Sequence, residues 1–83
     1  MTVQQDLHDY ILSESPVQAP DDFDDDYDLI ESGFMDSLFM MALIKHVEQQ
    51  HRIEFGMNDM VPKNFKSVNV LAGFVNRKLG INN

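Results

Sequence analysis

Residues 15 to 36 lie between two stretches of helical periodicity, and they hold eight of the chain's fourteen acids with no Lys or Arg. A connection of that length inside one small domain is either functional or pinned by its own side chains. Phe23, Tyr27, Leu29 and Ile30 are the residues placed to pin it. Charge divides along the same line: residues 1 to 36 carry a formal −11 and residues 37 to 83 a formal +3, for a net −8. Phosphate binding needs a basic surface, so this balance argues against a nucleic-acid partner. The acids read as a solvated face, or as a device that steers a basic partner inward. The repeated Asp between Asp21 and Asp28 invites comparison with a calcium loop. Counted from Asp22, the sixth and twelfth positions are Tyr27 and Gly33, where an EF-hand requires Gly and a bidentate Glu. The pattern fails.

The flanking segments are helical. Thr2 and Gln5 form a capping-box signature. Val3, Leu7, Tyr10 and Ile11 then recur on one helix face, and Ser15-Pro16 with Pro20 ends the run. A second helix begins at Asp36 or Ser37, with Asp36 as N-cap. On a helical wheel, Met40, Leu43, Ile44, Val47 and His51 fall within roughly 140° to 240° of Leu38, which defines the core face. Leu38, Met41, Ala42, Lys45, Gln49 and Arg52 point the other way, and Phe39 lies on the flank. Leu38, Phe39 and Met41 are therefore large apolar residues that this helix alone leaves unburied, unless the long connection covers them. Gly56 closes the region, and Met57 to Phe65 is irregular with one short turn. Ser67 caps a last helix whose stripe is Val68, Leu71, Ala72, Val75 and Leu79, with Phe74 beside it. Arg77, Lys78 and Gly80 mark its end. Gly73, unfavourable within a helix, marks a possible close packing point. No period-2 alternation is present. The expected fold is all-α: a small antiparallel four-helix bundle, three main helices and one short, with a long first loop and a single domain over residues 1–83.

Several function classes drop out. There is no Cys, hence no disulfide, thiolate nucleophile or sulfur-ligated zinc. The longest apolar run, Leu38 to Ile44, has seven residues and is too short to span a bilayer. The first residues lack Lys and Arg and do not read as a secretory signal, so a cytoplasmic location and a monomer are expected. His46 and His51 are about 140° apart on a helix and do not share a face for a metal. The four glycines form no phosphate loop. No enzyme is expected.

Gly33-Phe34-Met35-Asp36-Ser37-Leu38 remains. Gly33 permits a tight backbone ahead of the helix. Asp36 caps it. Ser37 then falls in the first turn, where free N–H groups and the helix dipole favour a phosphate ester on its hydroxyl. Phe34, Met35, Leu38, Phe39 and Met41, with Lys45 one turn on, form the expected surface around that hydroxyl.

Asp36-Ser37-Leu38 after Gly33 resembles the attachment motif of acyl and peptidyl carrier proteins. The order of a first amphipathic helix, an acidic loop, this motif and a helix closing on Val47-Glu48 resembles the family over nearly the whole chain, as do Phe55 and Phe65-Lys66-Ser67-Val68. The resemblance implies a 4′-phosphopantetheine arm, moved from coenzyme A onto Ser37 by a phosphopantetheinyl transferase. The arm's thiol would hold acyl, aminoacyl or peptidyl cargo as a thioester. The implied partners are a loading enzyme (an adenylation enzyme or acyl ligase) and condensing or transfer enzymes. Asp36 gains a second implied role, orienting the transferase's metal-bound coenzyme A.

The chain departs from fatty-acid carriers, whose second helix is typically acidic. Residues 38 to 52 hold one acid, Glu48, against Lys45 and Arg52. Docking by apolar Leu38, Phe39 and Met41 is similar to peptidyl carriers and favours a specialised nonribosomal-peptide or polyketide-like pathway over housekeeping fatty-acid synthesis. His51 stands where the family places an aromatic core residue, either as a hydrogen-bonded core histidine or at a looser helix end. An acidic helical adaptor without any arm is the alternative from another class.

Overall fold

The computed structural model describes residues 2–15 and 18–80. Three α-helices span Val3–Glu14 (α1), Ser37–His51 (α2) and Val68–Leu79 (α3). Two 3₁₀ turns, Met57–Asp59 and Pro62–Phe65, join α2 to α3 where one short turn was expected. No strand occurs among the described residues. The architecture is an all-helical bundle, and none of its helices is long and apolar enough to cross a membrane.

Each helix starts on a side-chain cap. Thr2 Oγ1 accepts the Gln5 N–H at 3.0 Å. Only this half of the expected capping box forms; the Gln5 side-chain N–H donates to Asp9 at 3.0 Å. Asp36 Oδ1 accepts the Phe39 N–H at 2.8 Å, and Ser67 Oγ, itself buried, accepts the Val70 N–H at 3.1 Å. The expected stop of α1 at Pro16 lies outside the described residues, but Ser15 is already extended.

The core gathers Val3, Leu7 and Ile11 of α1, Leu43, Ile44 and Val47 of α2, and Val68, Leu71, Ala72 and Val75 of α3. Helix α1 packs chiefly on α3 and more lightly on α2. Phe55 stacks on Phe65 at 6.0 Å and meets Phe74 at 5.6 Å, closing the end of the core near the 3₁₀ turns. Gly73 is not the close packing point its position suggested: a Cβ there would meet only the Arg77 guanidinium, at 3.5 Å, an ordinary contact.

The long connection is pinned as its composition predicts, and by more than apolar residues. Leu29 is fully buried, and Phe23, Tyr27 and Ile30 pack against the core. Asp25 takes His8 Nδ1 at 2.7 Å and the Gln4 amide at 2.6 Å, both from α1. On the α3 side, the Asn69 N–H donates to the Asp25 carbonyl at 2.9 Å and the Asn69 amide to Asp26 at 2.6 Å. The Leu29 N–H donates to the Lys66 carbonyl at 2.7 Å. Other acids fold the loop on itself: Asp24 caps Asp26, and Asp28 accepts from both Ile30 and Glu31.

Candidate functional site

The approach to α2 is a short loop held by backbone hydrogen bonds. Gly33 has φ +76°, a conformation costly for residues with a Cβ. Its N–H donates to the Ile30 carbonyl at 3.2 Å, and the Met35 N–H donates to the Leu29 carbonyl at 3.0 Å. These bonds deliver the chain to Asp36, whose carboxylate occupies the Phe39 N–H. Ser37 is thus the first residue of α2, exposed, with its hydroxyl bonded to no described residue. The N–H groups of a helix's first residues lack intrahelical partners, and the dipole there favours an anion.

Around Ser37 the expected surface divides. Leu38 is 84% exposed and Met41 50% exposed, and Lys45 is also exposed. Ser37, Met41 and Lys45 follow at i, i+4 and i+8 and share one face. Phe34, Met35 and Phe39 do not join them. Phe34 lies within an aromatic cluster, 5.6 Å from Phe23 and 6.3 Å from Tyr27. Met35 is buried in the core, and Phe39 is buried beneath Tyr10, ring to ring at 6.1 Å. The wheel left Phe39 on the flank because it lacked α1 as a neighbour. With Tyr10 laid across α2, the core arc widens to take Phe39, while Met40 and His51 are not fully buried. A partner surface on this face therefore rests on Leu38 and Met41, not on Phe34, Met35 or Phe39.

No histidine serves Ser37. His8 is held by Asp25, while His46 and His51 both point Nε2 at one oxygen of Asp6, at 3.0 and 3.1 Å. His51 is the hydrogen-bonded alternative of the two expected for it. Two residues about 140° apart on a helix reach the same acceptor because α1 lies between them. Tyr10 stacks on His46 at 4.0 Å, and its phenol is pushed above its ordinary value by burial, helped by the Glu14 charge. Among the described residues, no group of three or more His, Asp or Glu is arranged to hold a metal ion. Of two surface hollows, one of about 200 Å³ is lined by Asp28, Ile30, Glu31, Pro62, Lys63 and Lys66 and one of about 270 Å³ by Thr2, Gln4, Gln5, His8 and Asp25, and neither includes Ser37. The site is an exposed hydroxyl at a helix end, outside both of these hollows.

Sequence reasoning did not find Asp6, Gln4 or Asn69, whose partners lie far along the chain, nor the 90% exposure of Met57.

No family model and no curated protein matches the sequence. Among solved structures, a chain of the structure named "Crystal structure of FAD-dependent dehydrogenase" is similar, with a TM-score of 0.74 and 32% identity, covering 83% of this chain and 97% of that chain. The two chains belong to one family, and the matched chain is itself a little shorter than this one.

Proposed function

We propose that this protein is a phosphopantetheine carrier, with the 4′-phosphopantetheine of coenzyme A attached to Ser37. The observation that carries the reading is the placement of Ser37: exposed, unbonded, first in α2, with Asp36 as cap and Leu38 and Met41 beside it. The residues fit the group. The phosphodiester would meet the free amides of the first turn, Asp36 would hold that turn, and Leu38 and Met41 would meet partner enzymes. When bound, the group supplies a thiol that holds acyl, aminoacyl or peptidyl cargo as a thioester, and the reacting chemistry belongs to those partners. The partners are a phosphopantetheinyl transferase, a loading enzyme and condensing or transfer enzymes, acting in the cytoplasm. We favour a specialised pathway over fatty-acid synthesis. The one acid of α2, Glu48, is committed to the Phe55 N–H at 2.9 Å, so this helix offers partners little negative charge.

The test is intact mass after incubation with coenzyme A and a broad-range transferase. One phosphopantetheinyl addition, lost in Ser37→Ala, supports the carrier. No addition to a folded protein by several transferases favours an adaptor that only binds other proteins.

The name of the similar structure supports one partner class in particular, an FAD-dependent dehydrogenase. The described hollows fall below the roughly 300–1,000 Å³ of ordinary small-molecule sites, and FAD is larger than most such ligands. We therefore assign any flavin to a partner, which would act on cargo held by this chain.

A further inference from the structure

We propose that Met41 is an oxidation-sensitive site beside Ser37, through which peroxide slows the handling of that serine. The inference rests on the carrier reading above. The chain has six Met and no Cys, so thioethers are the only oxidisable sulfurs of the polypeptide itself. Their exposure is graded: Met35 is buried, Met40 half-buried, Met60 40%, Met41 50% and Met57 90% exposed. Oxidation follows access. Of the three exposed among the described residues, Met41 alone lies on α2, one turn from Ser37 at i+4 and from Leu38 at i+3.

The step is a two-electron oxygen transfer. A sulfur lone pair attacks one oxygen of hydrogen peroxide, the O–O bond breaks, an S–O bond forms, and the departing hydroxide takes the proton from the sulfur-bound oxygen and leaves as water. Sulfur is oxidised to the sulfoxide and the peroxide is reduced. The product is a polar group in place of an apolar one, set in the patch that partners must desolvate. Lys45, four residues on, is within ordinary side-chain range to donate to the new oxygen and hold it at the surface. Methionine sulfoxide reductases reverse the change.

The experiment treats the folded protein with graded hydrogen peroxide. Sulfoxide at each Met is read by peptide mass, and phosphopantetheinyl addition to Ser37 is timed. Met57 should oxidise first and without effect. The rate should then fall about fivefold as Met41 sulfoxide accumulates, the scale of one lost apolar contact, and return after reductase treatment. A Met57→Leu, Met60→Leu double variant should match the untreated rate and still lose it to peroxide. Met41→Leu should keep, after peroxide, the rate it has before. An unchanged rate with Met41 fully oxidised overturns the proposal, as does a loss that persists in Met41→Leu or that accompanies lost helix content by circular dichroism. If untreated protein takes up no phosphopantetheine, the carrier reading itself has failed and this inference falls with it.

Discussion

One carboxylate oxygen of Asp6 on α1 lies 3.0 Å from Nε2 of His46 on α2. The same oxygen lies 3.1 Å from Nε2 of His51, so a single acceptor ties both imidazoles to the first helix. All three side chains are less than a fifth exposed. Removing the acceptor leaves two poorly solvated donors unmatched, each costing about 1–3 kcal/mol. Asp6→Ala should therefore lower the thermal midpoint, by about 4–8 °C for each kcal/mol lost. A melt at neutral pH followed by circular dichroism checks it, and an unchanged midpoint would show that water replaces the carboxylate.

Phe39 and Leu38 are neighbours with opposite fates. Phe39→Ala empties a buried aromatic site and should cost about 3–5 kcal/mol, a large part of the total for a domain this small. Leu38→Ala, at a residue 84% exposed, should stay within about 0.5 kcal/mol of the parent yet slow phosphopantetheinyl transfer. Denaturant titration beside transfer kinetics separates the two. A Leu38 variant with parental kinetics would remove it from the docking surface.

Gly73 sits inside α3 with room for a methyl group. Gly73→Ala should stabilise the protein by about 1 kcal/mol, since glycine is the poorer helix former by that amount. A lowered melting temperature would mean that Arg77 does not move aside.

Asp59 takes the Lys78 ammonium at 2.9 Å and the Gly56 N–H at 2.8 Å. The Lys78 hydrogen bond first, and then the Gly56 N–H, hold its carboxyl below the ordinary Asp range. A depressed folded-state pKa gives stability that is present above the unfolded value, about 3.9, and is lost as pH falls through the folded one. The stability difference between the parent and Asp59→Asn should therefore be constant near neutrality and shrink below about pH 4. Denaturant midpoints from pH 7 down to pH 2 measure it; a difference independent of pH would contradict the pairing.

Local rules were enough for much of this. Thr2, Asp36 and Ser67 cap the helices they were expected to cap, because an N-cap is decided within four residues. The stripe of α3 was legible because its apolar residues follow one period without interruption. Ser37 stands exposed in the first turn, as Asp36 before it implied. Phe34 and Phe39 were misplaced because their covers, Phe23 and Tyr10, lie outside the motif and α2, and Met35 is likewise drawn into the core. Asp6 and Asn69 were invisible for the same reason. Asp6 reaches partners 40 and 45 positions away, and the Asn69 amide reaches one 43 away. No window along a single sequence reports such pairs.

The fastening of Asp25, Asp26 and Leu29 to both outer helices limits how the gene can drift. Surface segments between helices ordinarily accept insertions and deletions at small entropic cost. Here a single-codon deletion between Asp25 and Leu29 would shift the grips on Gln4 and His8 out of step with the grip on Lys66. Length variation should therefore be rare in that stretch, while the approach around Gln18 to Asp22, with none of these long-range side-chain bonds, remains free to lengthen.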